Sequence, residues 1–335
     1  MVEAIKFFKH LCFIRDPWLV LRILKGYFRT LVLKKDVLRS IELAITYSCQ
    51  AKCHKCYALH LNDPSRKTLT LAQVEDLIDQ ACRLGLIHVN ITGGEPLLNP
   101  DLPEIIRICS NRHLIVSVVT NGMLLTQELV RRMKVAGLNT IQISLDSASR
   151  DVHNRLRGMP GCYERIMMSI EWFKKNNINV CFSTVLSPES TSNSGEMKNL
   201  LELAKKTKTF LLICDSASIG GWAGQPDKMF SCDERDSILK ELMFHPHARH
   251  HSMYNFRLSP GCPAGIEKIY ITAYGDVTPC DLIHDTSGNV LKEPLSSIHK
   301  RLSQDERFKV KSSQCIRYLV TTEKLDKVCK PTAGI

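Results

Sequence analysis

Three cysteines of this 335-residue chain are spaced for metal chemistry. Cys49, Cys53 and Cys56 form a C-x3-C-x2-C run inside Thr46-Tyr47-Ser48-Cys49-Gln50-Ala51-Lys52-Cys53-His54-Lys55-Cys56-Tyr57. Thiolates are the usual ligands of iron–sulfur cubes, and three on one short loop can hold three of the irons of a [4Fe–4S] cluster. No fourth cysteine follows nearby. One iron would keep an open coordination position, as catalytic metals need. Zinc is the competing reading. A structural zinc wants four closed ligands, and His54 or His60 would have to complete the set.

A second group lies near the C-terminus. Cys262 and Cys280 bracket Gly265 to Pro279, where Lys268–Ala273 and Val277–Cys280 read as a hairpin turning at Tyr274-Gly275-Asp276. Cys315 and Cys329 lie downstream. Buried free thiols are the alternative for all four. Of the fourteen cysteines, Cys82, Cys109, Cys181 and Cys214 read as core packing, and Cys12, Cys162 and Cys232 fall at element edges. The tract His245-Pro246-His247-Ala248-Arg249-His250-His251 reads as a solvated linker, with metal binding as the alternative.

These residues need a frame. Ile41–Thr46, His88–Thr92, Leu114–Thr120, Thr140–Ser144, Val180–Val185 and Phe210–Cys214 read as strands. Between them lie helical segments. The first is capped by Thr70 with Gln73 in the capping-box position. The others cover Asp101–Cys109, Gln127–Ala136, Tyr163–Asn176 and Glu196–Lys206. Strand–helix alternation predicts an α/β fold with a parallel sheet and right-handed crossovers. Six such units fit a partial (β/α)6 barrel better than a complete eight-fold one. The cysteine loop follows the C-terminal end of the first strand, where barrel enzymes build their sites. The expected organisation is a basic amphipathic arm over residues 1–40, a core barrel over 41–215, barrel completion and linker over 216–260, and a small cluster domain over 261–335. A helix is expected over Asp233–Phe244.

Four features at successive strand ends carry a family resemblance. They are the cysteine loop, Thr92-Gly93-Gly94-Glu95-Pro96, Thr120-Asn121-Gly122 and Ile143-Ser144-Leu145-Asp146. From Ile41 to Cys214 the chain resembles the radical S-adenosylmethionine superfamily. The resemblance implies a [4Fe–4S] cluster on Cys49, Cys53 and Cys56, with S-adenosylmethionine chelating the open iron. It implies that Gly93, Gly94 and Glu95 meet the cosubstrate's amino group, that Ser144 meets its ribose, and that Asn121 adds a further contact. Asp146 either joins them or caps the next turn. Arg155 and Arg157 either reach a carboxylate or stay solvated. The family often has an aromatic residue before the third cysteine. Here it is Lys55, and Tyr57 is expected to take over that packing. The C-terminal hairpin looks like the auxiliary-cluster extension called SPASM, or its shortened form, twitch. That likeness implies one auxiliary [4Fe–4S] cluster on Cys262, Cys280, Cys315 and Cys329. Tyr318 stands where a further C-x2-C cysteine would be, so two auxiliary clusters are not expected.

The implied reaction starts with one electron from a reducing partner such as flavodoxin or ferredoxin. S-adenosylmethionine is cleaved to a 5′-deoxyadenosyl radical, which abstracts a hydrogen atom. The leading substrate is a peptide or protein side chain; a small molecule or lipid is the alternative. A non-catalytic electron-transfer protein is a third reading, against which the Gly-Gly-Glu speaks. The stretch ahead of the barrel is expected to be too short for a winged-helix leader-binding module.

Composition bounds the rest. Hydrophobic residues make 44% and charged residues 24% of the chain, which is ordinary for a globular protein with a core. The absence of a signal-like segment and the many cysteines point to a reducing, cytoplasmic setting. Residues 1–40 hold nine Lys/Arg and three Asp/Glu, so +6 of the net +11 sits in the arm and the main body is not a nucleic-acid surface. Two helices are expected there, Val2–Phe13 and Trp18–Leu33, the second after Asp16-Pro17. Its Val20, Leu24, Tyr27 and Leu31 share a stripe with Ile23 and Phe28 beside it. That stripe either packs on the barrel or rests peripherally on the inner membrane face.

Overall fold

The computed structural model describes residues 16–188, 195–242, 245–251 and 262–309. Seven parallel strands stand side by side in chain order: β1 (Ser40–Ala44), β2 (His88–Thr92), β3 (Ile115–Thr120), β4 (Thr140–Ser144), β5 (Asn179–Leu186), β6 (Phe210–Asp215) and β7 (Ala248–His250). Beyond β1 the sheet continues with β8 (Lys268–Ile271), parallel to β1, then with β9 (Asp276–Thr278) and β10 (Gly288–Asn289), each antiparallel to its neighbour. Helices α2 (Leu71–Leu84), α3 (Leu102–Ser110), α4 (Gln127–Ala136), α5 (Arg150–Arg157), α6 (Cys162–Lys175), α7 (Glu196–Thr207) and α8 (Cys232–Leu242) supply the crossovers. An arm helix α1 (Pro17–Tyr27) precedes them, and α9 (Leu295–Gln304) follows the hairpin. This is the parallel, partial-barrel α/β architecture that the strand–helix alternation predicts.

The strand period of two separates the faces. Ile41 and Leu43 of β1, Ile91 of β2, Val118 of β3 and Ile141 of β4 point outward and are fully buried beneath the helices, with Ile78 of α2 and Phe173 of α6 among their neighbours. The inward set is different in kind. Glu42, Asn90, Gln142, Ser144, Ser183 and Cys214 all line the lumen. A closed eight-stranded barrel fills its interior with branched apolar side chains. This one keeps a polar cavity.

Local signals place the helices. Thr70 accepts from Gln73 N–H, and Gln73 reaches back to Thr70 N–H, so α2 opens with the expected capping box. It closes at Gly85 with φ 110°. The β8–β9 turn falls at Gly275, with φ 84°, as the hairpin pattern predicts.

One strand lies where a linker was expected. Ala248 and His250 are buried, and Arg249, the register partner of lumen-facing Leu212, lies over the Phe210 ring at 4.8 Å, so residues 248–250 pair with β6 as β7. Three residues, two of them cationic types, give no legible alternation. The helix expected over Asp233–Phe244 is α8.

The arm also differs in detail. Asp16 caps α1 through Trp18 N–H, and Pro17 opens it. The helix continues as a π turn over Phe28–Val32. Leu19 and Ile23 are the residues that pack, against Val37 and Ile87 at the N-terminal end of β2. Trp18, Leu21, Leu24, Phe28 and Leu31 stay exposed. An arm helix apolar on both faces cannot announce which face turns inward. The expected helix over Val2–Phe13 lies outside the described residues. Among the described residues no helix is long and apolar enough to cross a membrane.

Candidate active site

The site forms where the loops after β1 and β2 touch. Gly94 N–H donates to Thr46 O at 2.7 Å, and Glu95 N–H donates to Ser48 O at 2.9 Å. A Cβ on Gly93 would strike Thr46 O, and one on Gly94 would strike Ser48 O and Tyr47 O. The bare Gly-Gly backbone is thus required by the neighbouring loop as well as by any ligand. On the far side Gly221 N–H donates to Cys56 O at 3.0 Å, so the segment after β6 supports the cysteine loop too.

Cys49 is exposed, and Cys53 and Cys56 are half-buried. All three line a cavity of about 270 Å³, together with Gly93, Gly94, Asn121 and Ser144. Burial pushes the Cys49 and Cys56 thiols up, and the neighbouring sulfurs add to the effect. N–H donors point at the sulfurs: Ala51 N–H to Cys49 at 3.4 Å, Asn121 Nδ2 to Cys49 at 3.9 Å and Arg157 Nη1 to Cys53 at 3.6 Å. Three thiols at a cavity mouth, two of them facing N–H donors, suit a thiolate-ligated cluster with one open iron.

Glu95 behaves differently from the other cosubstrate candidates. It is fully buried and does not line the cavity. Its carboxylate accepts from Thr120 Oγ1 at 2.7 Å, Asn121 N–H at 2.8 Å and Leu97 N–H at 3.0 Å, tying the β2 loop to the end of β3. Burial pushes its carboxyl up against those bonds. Of that motif, Thr92, Gly93 and Gly94 face the ligand space, and Glu95 does not. Tyr57 lines the cavity, with its hydroxyl 3.4 Å from Gly93 O and its ring edge-on to Tyr270 at 6.3 Å. Tyr270 in turn shares a 2.9 Å hydroxyl–hydroxyl bond with Tyr47, so β8 buttresses the cysteine loop.

Asp146 caps nothing. Its carboxylate lies 2.8 Å from Lys55 Nζ and 2.7 Å from Arg157 Nε, and both cations line the cavity. Arg157 and Lys55 hold the buried Asp146 carboxyl well below the ordinary carboxylate range, against its desolvation. One carboxylate serves two cations here, which leaves the rim beside Cys53 net positive. Arg155 is exposed. The departure at Lys55 therefore has a role: it supplies half of this pair.

The lumen below carries two further clusters that the sequence did not reveal. Asp215 at the end of β6 takes Arg235 Nε at 2.8 Å, His250 Nε2 at 2.8 Å and His251 Nε2 at 3.4 Å. Its geometry is that of a metal triad, but the buried Arg235 guanidinium already supplies the positive charge. On the opposite wall Glu42 Oε1 lies 2.8 Å from Lys268 Nζ, with Asp281 Oδ1 3.6 Å from the same nitrogen. Burial and the adjacent Asp281 push the Glu42 carboxyl up to about 8. Cys214, read as core packing, lines this cavity as well.

Cys262 and Cys280 stand at the base of the β8–β9 hairpin, which Gly265 N–H closes on Pro279 O at 3.0 Å. Cys280 is buried, and Asp281 beside it enters the lumen. Cys315 and Cys329 lie outside the described residues, as does Cys12. Cys162 is buried at the start of α6 and donates to Asn121 O at 3.3 Å, holding the β3 loop from behind.

The comparisons agree with this geometry. Residues 43–203 match the radical SAM superfamily, so the chain carries a radical SAM enzyme domain, of a kind that works with S-adenosylmethionine and a [4Fe–4S] cluster. The chain is 25% identical over 310 residues to an AdoMet-dependent heme synthase of Methanosarcina barkeri, covering 83% of this chain and 88% of that protein. It is 26% identical over 298 residues to the sporulation killing factor maturation protein SkfB of Bacillus subtilis, covering 85% and 70%. In fold it is similar to Streptococcus suis SuiB, solved bound to its precursor peptide SuiA, with TM-score 0.64 and 16% identity over 85% of this chain and 70% of that one.

Proposed function

We propose that this enzyme modifies a peptide or protein side chain by hydrogen abstraction. Three thiols and a bare Gly-Gly backbone open onto the same polar lumen, and that observation carries the reading. In it, Cys49, Cys53 and Cys56 hold the cluster, and the Gly93 and Gly94 backbone with Ser144 and Asn121 orient the cosubstrate. The Lys55–Arg157 pair offers its excess positive charge to the cosubstrate's carboxylate. When bound, the reduced cluster and S-adenosylmethionine supply the 5′-deoxyadenosyl radical. The chain's own part is to hold the substrate in the lumen and keep bulk water from the radical. Similarity to SkfB and, in fold, to peptide-bound SuiB supports a peptide. Similarity to heme synthases over most of the chain supports a second reading, a small-molecule substrate.

With dithionite, reconstituted protein should form 5′-deoxyadenosine, and Cys49→Ala/Cys53→Ala/Cys56→Ala should abolish it. Deuterated candidate substrates decide between the readings: label passing into 5′-deoxyadenosine from a peptide supports the first, and label from a tetrapyrrole alone replaces it. The reading includes one auxiliary cluster on Cys262 and Cys280, with Cys315 and Cys329 as further ligands, in a unit over residues 261–335. The triple variant should then retain roughly one cluster of iron, which Cys262→Ala/Cys280→Ala removes. It also includes a flavodoxin or ferredoxin as electron donor, and the exposed face of α1 as a peripheral contact with anionic lipid. Failure of the protein to co-sediment with anionic liposomes at low salt would end that last element.

A further inference from the structure

Below the cysteine rim the lumen holds side chains that the cosubstrate reading does not use. Glu42 and Asp281 hydrogen-bond carboxyl to carboxyl, and both face the single ammonium of Lys268. Two acids thus share one cation, and the raised Glu42 carboxyl keeps a proton between the pair while no further cation is present. Asn90 is the register partner of Glu42 on β2. It lines the same cavity, is only 9% exposed, and its Oδ1 has no hydrogen-bond partner. A buried acceptor without a donor is unfavourable. A second acid beside one ammonium can ionise only when further positive charge arrives. One kind of group relieves both: a group that brings positive charge and several N–H donors.

The distribution of charge along the cavity points the same way. At the rim Lys55 and Arg157 share one carboxylate, so that end favours an anion. At the wall formed by β1 and β8 two acids and Asn90 Oδ1 face one ammonium, and the Asp215 carboxylate across the lumen is already matched by Arg235. A polyanionic substrate would meet mostly acceptors there.

We propose that Glu42, Asp281 and Asn90 form a subsite for an alkylammonium or guanidinium group of the substrate. The proposal rests on the reading that the lumen holds the substrate, but it fails separately from the chemistry. It is tested by binding alone, on the full-length reconstituted protein with S-adenosylmethionine and no reductant. The probes are Nα-acetyl-lysine, Nα-acetyl-arginine, Nα-acetyl-norleucine and Nα-acetyl-glutamate methylamides, followed by calorimetry. The lysine and arginine probes should bind at least about tenfold more tightly than norleucine, as expected for a charge-assisted contact. Glu42→Gln and Asp281→Asn should each erase that preference, with the cluster's visible absorption reporting that the protein is intact. Lys268→Met should strengthen binding of the cationic probes, because it removes the competing ammonium. A purely structural triad would not tighten binding on losing its lysine. Equal binding of lysine and norleucine probes overturns the proposal. So does preferential binding of the glutamate probe that is lost in Lys268→Met, and so does the absence of binding by every probe at millimolar concentration. Cleavage of S-adenosylmethionine by the wild-type protein, measured apart, reports on the enzyme class whatever the probes do.

Discussion

Asp146 shows how much one carboxylate can organise. It sits at the end of β4, fully enclosed, between Lys55 from the cysteine loop and Arg157 from α5. Arg157 then reaches Cys53. The carboxylate therefore sets the position of two cations and, through one of them, of a cluster thiol. Asp146→Asn keeps the shape and removes the charge, leaving two enclosed cations without their counter-ion. Breaking a buried pair this way costs about 3–5 kcal/mol. Urea unfolding of the anaerobic protein should show a loss of that order. Replacing exposed Arg155 with Gln should change it by less than about 0.5 kcal/mol. The cysteine loop and the Gly-Gly-Glu were legible because their chemistry depends on residue type and short spacing. Nothing local joins Asp146, Lys55 and Arg157, since they come from three separate elements. Glu42, Lys268 and Asp281 carry no local signature at all: only the pairing of β8 with β1 brings them together.

At the scale of elements, the sequence shows strands and helices wherever periodicity is strong, and it misleads where both faces are apolar. Helix α1 is the case. Its buried contacts are Leu19 and Ile23 on Val37 and Ile87, while the more conspicuous Trp18, Leu21 and Phe28 face out. Arg22 fastens the helix by donating to Leu86 O at 3.3 Å. The predicted consequence is a sharp asymmetry. Ile23→Ala should destabilise the protein by about 2–5 kcal/mol, as a buried truncation does. Leu21→Ala should cost less than about 0.5 kcal/mol. Thermal unfolding of the two variants side by side checks this, and equal losses would mean that the exposed face is covered in solution. The position matters for function. The helix packs at the N-terminal end of β2, whereas the cavity opens at the C-terminal ends of the strands. A lipid surface touching α1 would therefore lie away from the cavity mouth, which weakens the case for a lipid substrate.

For the molecule as a whole, a polar lumen has consequences for acid stability. Among the described residues, burial keeps His88, His153, His250 and His299 neutral inside the fold. Burial first, then Arg39 and Lys268, pushes His88 down to about 3. Its ring is satisfied by hydroxyls alone, Ser40 at 2.9 Å and Ser117 at 3.0 Å. Burial pushes His153 and His250 down to about 4. For such a base the unfolded chain takes up a proton near pH 6.5 while the folded chain does not. The stabilisation is therefore complete above about pH 6.5 and is lost as pH falls from there toward 4. The paired carboxylates act lower. Asp146 and Asp215 are held below their ordinary range, so their contribution persists until pH drops under about 4. Acid sensitivity should thus begin about 2.5 pH units earlier than salt-bridge loss alone would give. Each histidine contributes up to about 1.4 kcal/mol per pH unit in that window. The check is a difference measurement, because cluster loss in acid affects every variant alike. His88→Asn retains a hydrogen-bonding side chain between Ser40 and Ser117 and cannot be protonated. Between pH 6.5 and 5 its unfolding free energy should fall less steeply than wild type, by about one proton's worth of slope. Parallel slopes would mean that His88 already carries its proton in the folded protein.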